Sequence, residues 1–212
     1  MARGPAAFPP EGFEKLLEAE ALRAALPLTR PQLSALSRYL GELDAWRRRI
    51  NLTGDLAPED LCSHAVESAA GAPLIPHDAK VIDIGSGAGF PGIPLAIVRP
   101  DICVSPLEPR RKRAAFLRHV VRSVPVENAF VLEDRIEELS TDAWGVATTR
   151  GLGNLGELIG SAPFLRAGGL LLAWTTEPES LAAGLAPHFR LEQALRLPAS
   201  QRRTIAVLMK VG

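Results

Sequence analysis

The sequence predicts an α/β fold, a mostly parallel sheet with an antiparallel edge, preceded by a helical extension. Three observations carry this. From Lys80 onward, short β-rich runs alternate with helical ones, the rhythm of parallel strands joined by crossover helices. Before Lys80 the apolar residues recur at three- and four-residue spacing, which is helical. Near the end, RLEQALRLP and RRTIAVLMKV follow one another as two strand-like runs, which suits an antiparallel pair at one sheet edge.

The elements follow in order. EKLLEAEALRAALP and PQLSALSRYLGELDAWRRRINL read as amphipathic helices, with Pro31 in the first turn of the second. A third helix, PEDLCSHAVESAAGAP, stops at Gly71 and Pro73. KVIDI, ICVSPLE, NAFVLE, GVATTR and GGLLLAW are the expected strands. Between them GIPLAIV, RRKRAAFLRHVVRSV, DRIEEL and NLGELIGSAPFL read as helical connections. The division expected is a helical extension over 1–72 and an α/β domain over 73–212, the two forming one compact unit.

Composition narrows the function. The 212 residues, 47% of them hydrophobic, suffice for a real core. No apolar run approaches the roughly 18 residues of a membrane span, and the first residues lack the pattern of a secretory leader, so a cytoplasmic chain is expected. Twenty-four basic residues balance 24 acidic ones, which argues against a protein that coats nucleic acid indiscriminately. Cys62 and Cys103 lack metal or redox spacing, and His64, His77, His119 and His188 are scattered, so no metal site is expected.

The chemistry concentrates in VIDIGSGAGFPG, residues 81–92. Gly87, Gly89 and Gly92 satisfy G-x-G-x-x-G, but Asp83 stands at the strand end ahead of Gly85. A carboxylate there opposes a pyrophosphate and favours a cationic ligand. S-adenosylmethionine, with its sulfonium and ammonium, fits that pattern better than a nicotinamide dinucleotide. The turn Asp83, Gly85, Ser86, Gly87, Gly89 and Phe90 is therefore the expected cofactor site. Glu108, ending the next strand, lies where such folds hold ribose hydroxyls.

Further segments carry a resemblance. NLTG at 51–54, HAVES at 64–68, VIDIGSGAGFPGIPLAIVRP, Glu108 followed by KRAAFL, DRIEEL, and TTRG at 148–151 stand in order and spacing that resemble the RsmG (GidB) family. The likeness covers roughly residues 36–210. It implies a Rossmann-like class I S-adenosylmethionine-dependent methyltransferase fold and methyl transfer to N7 of a guanine in 16S ribosomal RNA, with the small subunit or its RNA as partner and a monomer as the working form. It also implies Gly85 and Phe90 at the methionine end of the cofactor, Glu108 at the ribose, and Ile136 and Glu137 at the adenine. Arg150 falls between cofactor and target base, and Asn51, Thr53, His64 and one of Arg202 and Arg203 on the RNA side. Three departures stand out: Glu67 replaces the family's aspartate, Thr149-Arg150-Gly151 its serine-arginine-alanine, and Trp174-Thr175-Thr176 follows the fifth strand in place of lysine-glycine. Two alternatives remain open at this point, a methyltransferase of a small molecule or protein, and a cofactor-binding assembly factor without transfer activity.

Overall fold

The computed structural model describes residues 8–140, 142–153, 155–198, 200 and 203–211. The three N-terminal helices are α1 (Pro10–Arg23), α2 (Arg30–Arg47) and α3 (Pro58–Ala69). In α2 the apolar positions Leu33, Leu36, Leu40 and Leu43 form one buried stripe. Thr29 closes its N-terminus: its hydroxyl accepts from the Gln32 N–H, and its own N–H donates to the Gln32 side chain, with Pro31 in the first turn.

The sheet contains β1 (Lys80–Ile84), β2 (Cys103–Leu107), β3 (Trp144–Arg150), β4 (Leu165–Thr175), β5 (Phe189–Arg196) and β6 (Thr204–Lys210). Their spatial order is β2-β1-β3-β4-β6-β5. The first four run parallel, while β6 pairs antiparallel with both β4 and β5. This is the expected mostly parallel sheet with an antiparallel edge. The connecting helices are α4 (Gly92–Val98), α5 (Arg111–Ser123), α6 (Leu155–Ile159) and α7 (Pro178–Leu185).

Strand alternation divides the interior into two layers. Val81, Val104, Val146, Leu172 and Val207 face α1–α5, whereas Ile82, Leu107, Ala147, Leu171 and Leu208 face α6 and α7. The first layer takes in Phe13, Leu36 and Leu61 from the N-terminal helices, so these share a core with the sheet.

The structure differs from the sequence expectation in three elements. NAFVLE makes only bridge pairings beside β2, at Ala129 and Leu132. Val104 N–H and C=O bond Asn128 and Phe130, and the Pro106 C=O and Glu108 N–H bond Leu132. Between them Pro106 has no N–H to give, and the ladder breaks there. DRIEEL yields only a 3-10 turn at Ile136–Glu138, and α7 arises where no helix is expected.

Candidate functional site

The turn after β1 is built by glycines that no other residue would replace comfortably. Gly85, Gly87 and Gly89 have φ of 67°, 54° and 101°, in the left-handed region. Gly92 is required for space instead: a Cβ there would lie 2.6 Å from Asp83 Oδ2. The Ser86 N–H donates to the Leu107 carbonyl at 3.0 Å, tying the turn to the end of β2.

Asp83 corrects the sequence reading. Its carboxylate is not open at the strand end but completely buried beneath the turn. It accepts from the Ser86 hydroxyl, from Thr148 Oγ1 at 2.9 Å, and from the Gly92 N–H at 3.2 Å, at the start of α4. Burial pushes its pKa up to about 6, against the opposing hydrogen bonds from Ser86, Thr148 and Gly92. Asp83 thus shapes the turn from below. Its influence on anything bound above is through the backbone and through charge at a distance.

Glu108 sits where expected, buried at the end of β2. One carboxylate oxygen accepts the Gly87 N–H at 3.1 Å and the other the Arg110 N–H at 2.9 Å. The turn and the acid are therefore one hydrogen-bonded unit.

A cavity of about 310 Å³ opens above this unit. Gly85, Ser86, Gly87 and Phe90 line it from the turn, Arg150 and Leu152 from the end of β3, and Thr53, His64 and Arg113 from the helical side. Ligand pockets in general occupy about 300–1,000 Å³. Asn51 is exposed, and its carbonyl accepts from Arg113 Nη2 at 3.2 Å at the rim. Ile136 is buried in the α6–α7 layer and Glu137 is exposed, and neither lines this cavity. Arg203 lies behind Arg150, while Arg202 falls outside the described residues.

His64 packs edge-on to Phe90, with ring centroids 5.7 Å apart. Burial, then the charges of Arg150 and Arg203, push its pKa down to about 3. It is neutral at physiological pH and a weak base. Arg150, with a side chain only 12% exposed, donates to Glu67 Oε2 at 2.8 Å. Glu67 also receives Arg203 Nη1, and its backbone carbonyl accepts from Trp174 Nε1 at 2.8 Å. Trp174 and Thr175, expected to follow a strand, lie within β4 and pair with β6, and the indole is a buried structural group.

Two site residues escape sequence reasoning. Tyr39, on α2, is fully buried and donates its hydroxyl to the Ala88 carbonyl at 2.8 Å, its ring edge-on to Phe90 at 5.6 Å. An aromatic at helical spacing carries no signal of that contact. Arg113, within the RRKR run that opens α5, also lines the cavity. No group of three or more potential metal ligands occurs among the described residues, nor any helix long and apolar enough to cross a membrane.

Among solved structures, the fold is similar to a predicted O-methyltransferase from Agrobacterium tumefaciens, with TM-score 0.58, 18% identity, and coverage of 68% of this chain and 81% of that one. It is similar also to the tRNA methyltransferase TrmK of B. subtilis, with TM-score 0.56, 14% identity, and coverage of 69% and 65%. In sequence, the Ribosomal RNA small subunit methyltransferase G of Syntrophotalea carbinolica is 34% identical over 203 residues, spanning 89% of this chain and 94% of the relative. The protein of that name from Xanthomonas axonopodis pv. citri is 36% identical over 190 residues, spanning 88% and 81%. The family model GidB, rRNA small subunit methyltransferase G, matches residues 32–185. The glycine turn and the strand-end arginine line one cavity, and on the family match and the relatives' identity the chain belongs to the GidB family of small-subunit rRNA methyltransferases.

Proposed function

We propose that this protein transfers the methyl group of S-adenosylmethionine to N7 of a guanine in 16S ribosomal RNA. The observation that carries the reading is the shared cavity: the glycine turn bonded to Glu108 forms one wall, and Arg150 with His64 the other.

The cavity suits this donor. At Gly85 and Gly87 its wall is bare backbone, and a Cβ at Gly85 would already stand 3.0 Å from Leu152. Gly85 and Phe90 would hold the methionine end within the turn that Ser86, Gly87 and Gly89 complete, Glu108 the ribose, and the Ile136–Glu137 turn, outside this cavity, the adenine end. Asp83 acts by fixing the turn. When bound, the donor supplies a methyl group already activated on a sulfonium.

Guanine N7 carries an in-plane lone pair and no proton, so the reaction requires alignment and no general base. That fits a cavity whose imidazole, His64, is a weak base. Holding reactants in line supplies on the order of 7–11 kcal/mol in favourable cases. The base must leave its stack to be reached, and Arg150 and Phe90 offer a guanidinium and a ring at the cavity wall. Asn51, Thr53, His64 and Arg203 would serve the RNA side. The protein would work as a cytoplasmic monomer; among the described residues only Leu22, Phe130, Leu158 and Val211 are exposed large apolar side chains.

The test is mass spectrometry of modified nucleosides in 16S RNA from cells with and without the protein, paired with transfer assays on small subunits, free RNA and mixed metabolites. Loss of a single 7-methylguanosine, restored by the purified protein, supports the reading. An unchanged nucleoside profile, with transfer only to protein or metabolites, overturns it.

A further inference from the structure

Behind the cavity, one buried oxygen serves two cations. Glu67 is 3% exposed, and its Oε2 accepts Arg150 Nη2 at 2.8 Å and Arg203 Nη1 at 2.6 Å. The three residues come from α3, the end of β3 and the segment entering β6, separated by 83 and 136 positions along the chain. Only Arg150 of the three lines the cavity.

The carboxylate is held from its own backbone. Trp174 Nε1 donates to the Glu67 carbonyl at 2.8 Å, and the indole edge fills the space over Gly71, where a Cβ would meet Trp174 Cζ2 at 2.6 Å. The α3 backbone is thereby fixed to β4, and Glu67 has little freedom to follow either arginine if one moves.

Charge gives this arrangement a purpose. Two guanidiniums remain protonated throughout the ordinary pH range, whereas His64 beside them is neutral. Without a carboxylate the pair would present two positive charges to the neighbouring cavity. A sulfonium donor brings another, and methyl transfer then moves it onto the guanine.

We infer that Glu67 is a positioning residue, the shared counter-ion that fixes Arg150 at the cavity wall and offsets the arginine charge so that a cationic donor is accepted beside it. The inference rests on the proposed donor. It touches no reacting atom itself and acts through Arg150.

The discriminating experiment compares two nearly isosteric ligands, S-adenosylmethionine and its demethylated thioether, which differ by the sulfonium charge. Calorimetry on the full chain measures both for wild type, Glu67→Gln, and Glu67→Gln with Arg203→Gln. A unit charge acting across a partly screened site, at an effective dielectric of about 20, is worth about tenfold in affinity. Glu67→Gln is therefore expected to weaken the sulfonium ligand about tenfold relative to the thioether. Removing Arg203 as well restores the charge balance and should bring the ratio back to within about threefold of wild type, a size set by incomplete equivalence of the two charges. Glu67→Asp keeps the charge and should keep the ratio, even where a shorter reach lowers affinity for both ligands. Arg203→Gln alone removes one of the two cations on Glu67 Oε2 and should shift the ratio toward the sulfonium ligand by up to about tenfold; it stands in should Glu67→Gln fail to fold, and an unchanged ratio there would overturn the counter-ion role. Equal weakening of both ligands by Glu67→Gln, without recovery in the double variant, would overturn the counter-ion role and leave only a structural one. If wild type binds neither ligand, the donor reading itself fails, a result distinct from failure of the inference.

Discussion

Tyr39→Phe isolates the link between the N-terminal helices and the glycine turn. The substitution keeps the ring, which is fully buried and edge-on to Phe90, and removes only the hydroxyl that donates to the Ala88 carbonyl at 2.8 Å. A buried acceptor deprived of its donor costs about 1–3 kcal/mol. With about 2 kcal/mol as the midpoint, and about 2–4 °C per kcal/mol for a chain of this size, the melting temperature should fall by about 4–8 °C. Ala88 belongs to the turn that lines the cavity. If about 1.4 kcal/mol of the loss is expressed there, donor affinity should fall about tenfold. Differential scanning fluorimetry gives the first number and calorimetry with S-adenosylmethionine the second. A melting temperature within about 1 °C of wild type, together with unaltered donor affinity, would refute the view that α2 holds the turn.

Other outcomes follow from the same geometry. Arg150→Ala should keep donor affinity within about tenfold, ~1.4 kcal/mol, yet lose most methyl transfer to RNA; wild-type transfer rates would remove Arg150 from the site. Gly92→Ala should lower the urea midpoint by about 1–3 kcal/mol of stability, because the new methyl would stand 2.6 Å from the buried Asp83 carboxylate; an unchanged midpoint contradicts the packing. His64 has a folded pKa of about 3, below its ordinary value of about 6.5. Its contribution to stability is therefore complete above pH ~6.5 and is lost as pH falls toward ~3. Urea midpoints should accordingly drop less between neutral and acidic pH in His64→Gln than in wild type, and an equal drop would count against the shift.

Much of the fold is legible in the sequence because the strands are short apolar runs punctuated by glycine and proline. Lys80–Ile84, Trp144–Arg150 and the final antiparallel pair appear where the pattern puts them. The turn is legible for a different reason: glycines at 85, 87 and 89 declare a backbone that only glycine adopts easily. What stays hidden depends on convergence. Asp83 reads as a ligand-facing charge because a sequence does not show that Ser86, Thr148 and Gly92 surround it. Tyr39 meets Ala88 across 49 positions, and Glu67 meets Arg203 across 136. The 128–132 segment reads as a full strand because its own residues suit one, whereas the missing donor belongs to Pro106 on its neighbour.

The place of β6 bears on how the molecule assembles. Although β5 precedes it in the chain, β5 pairs only with β6 among the described strands, and β6 in turn is what covers the outer side of β4. The order of synthesis and the order of pairing therefore differ. Without Thr204–Lys210, β4 has an open edge and β5 has no strand to join, so both outer strands depend on the last one, while the parallel half also rests on the helical layer. The same late-arriving segment brings Arg203 to Glu67. Completing the sheet and completing the charge cluster behind the cavity thus depend on the same segment of chain.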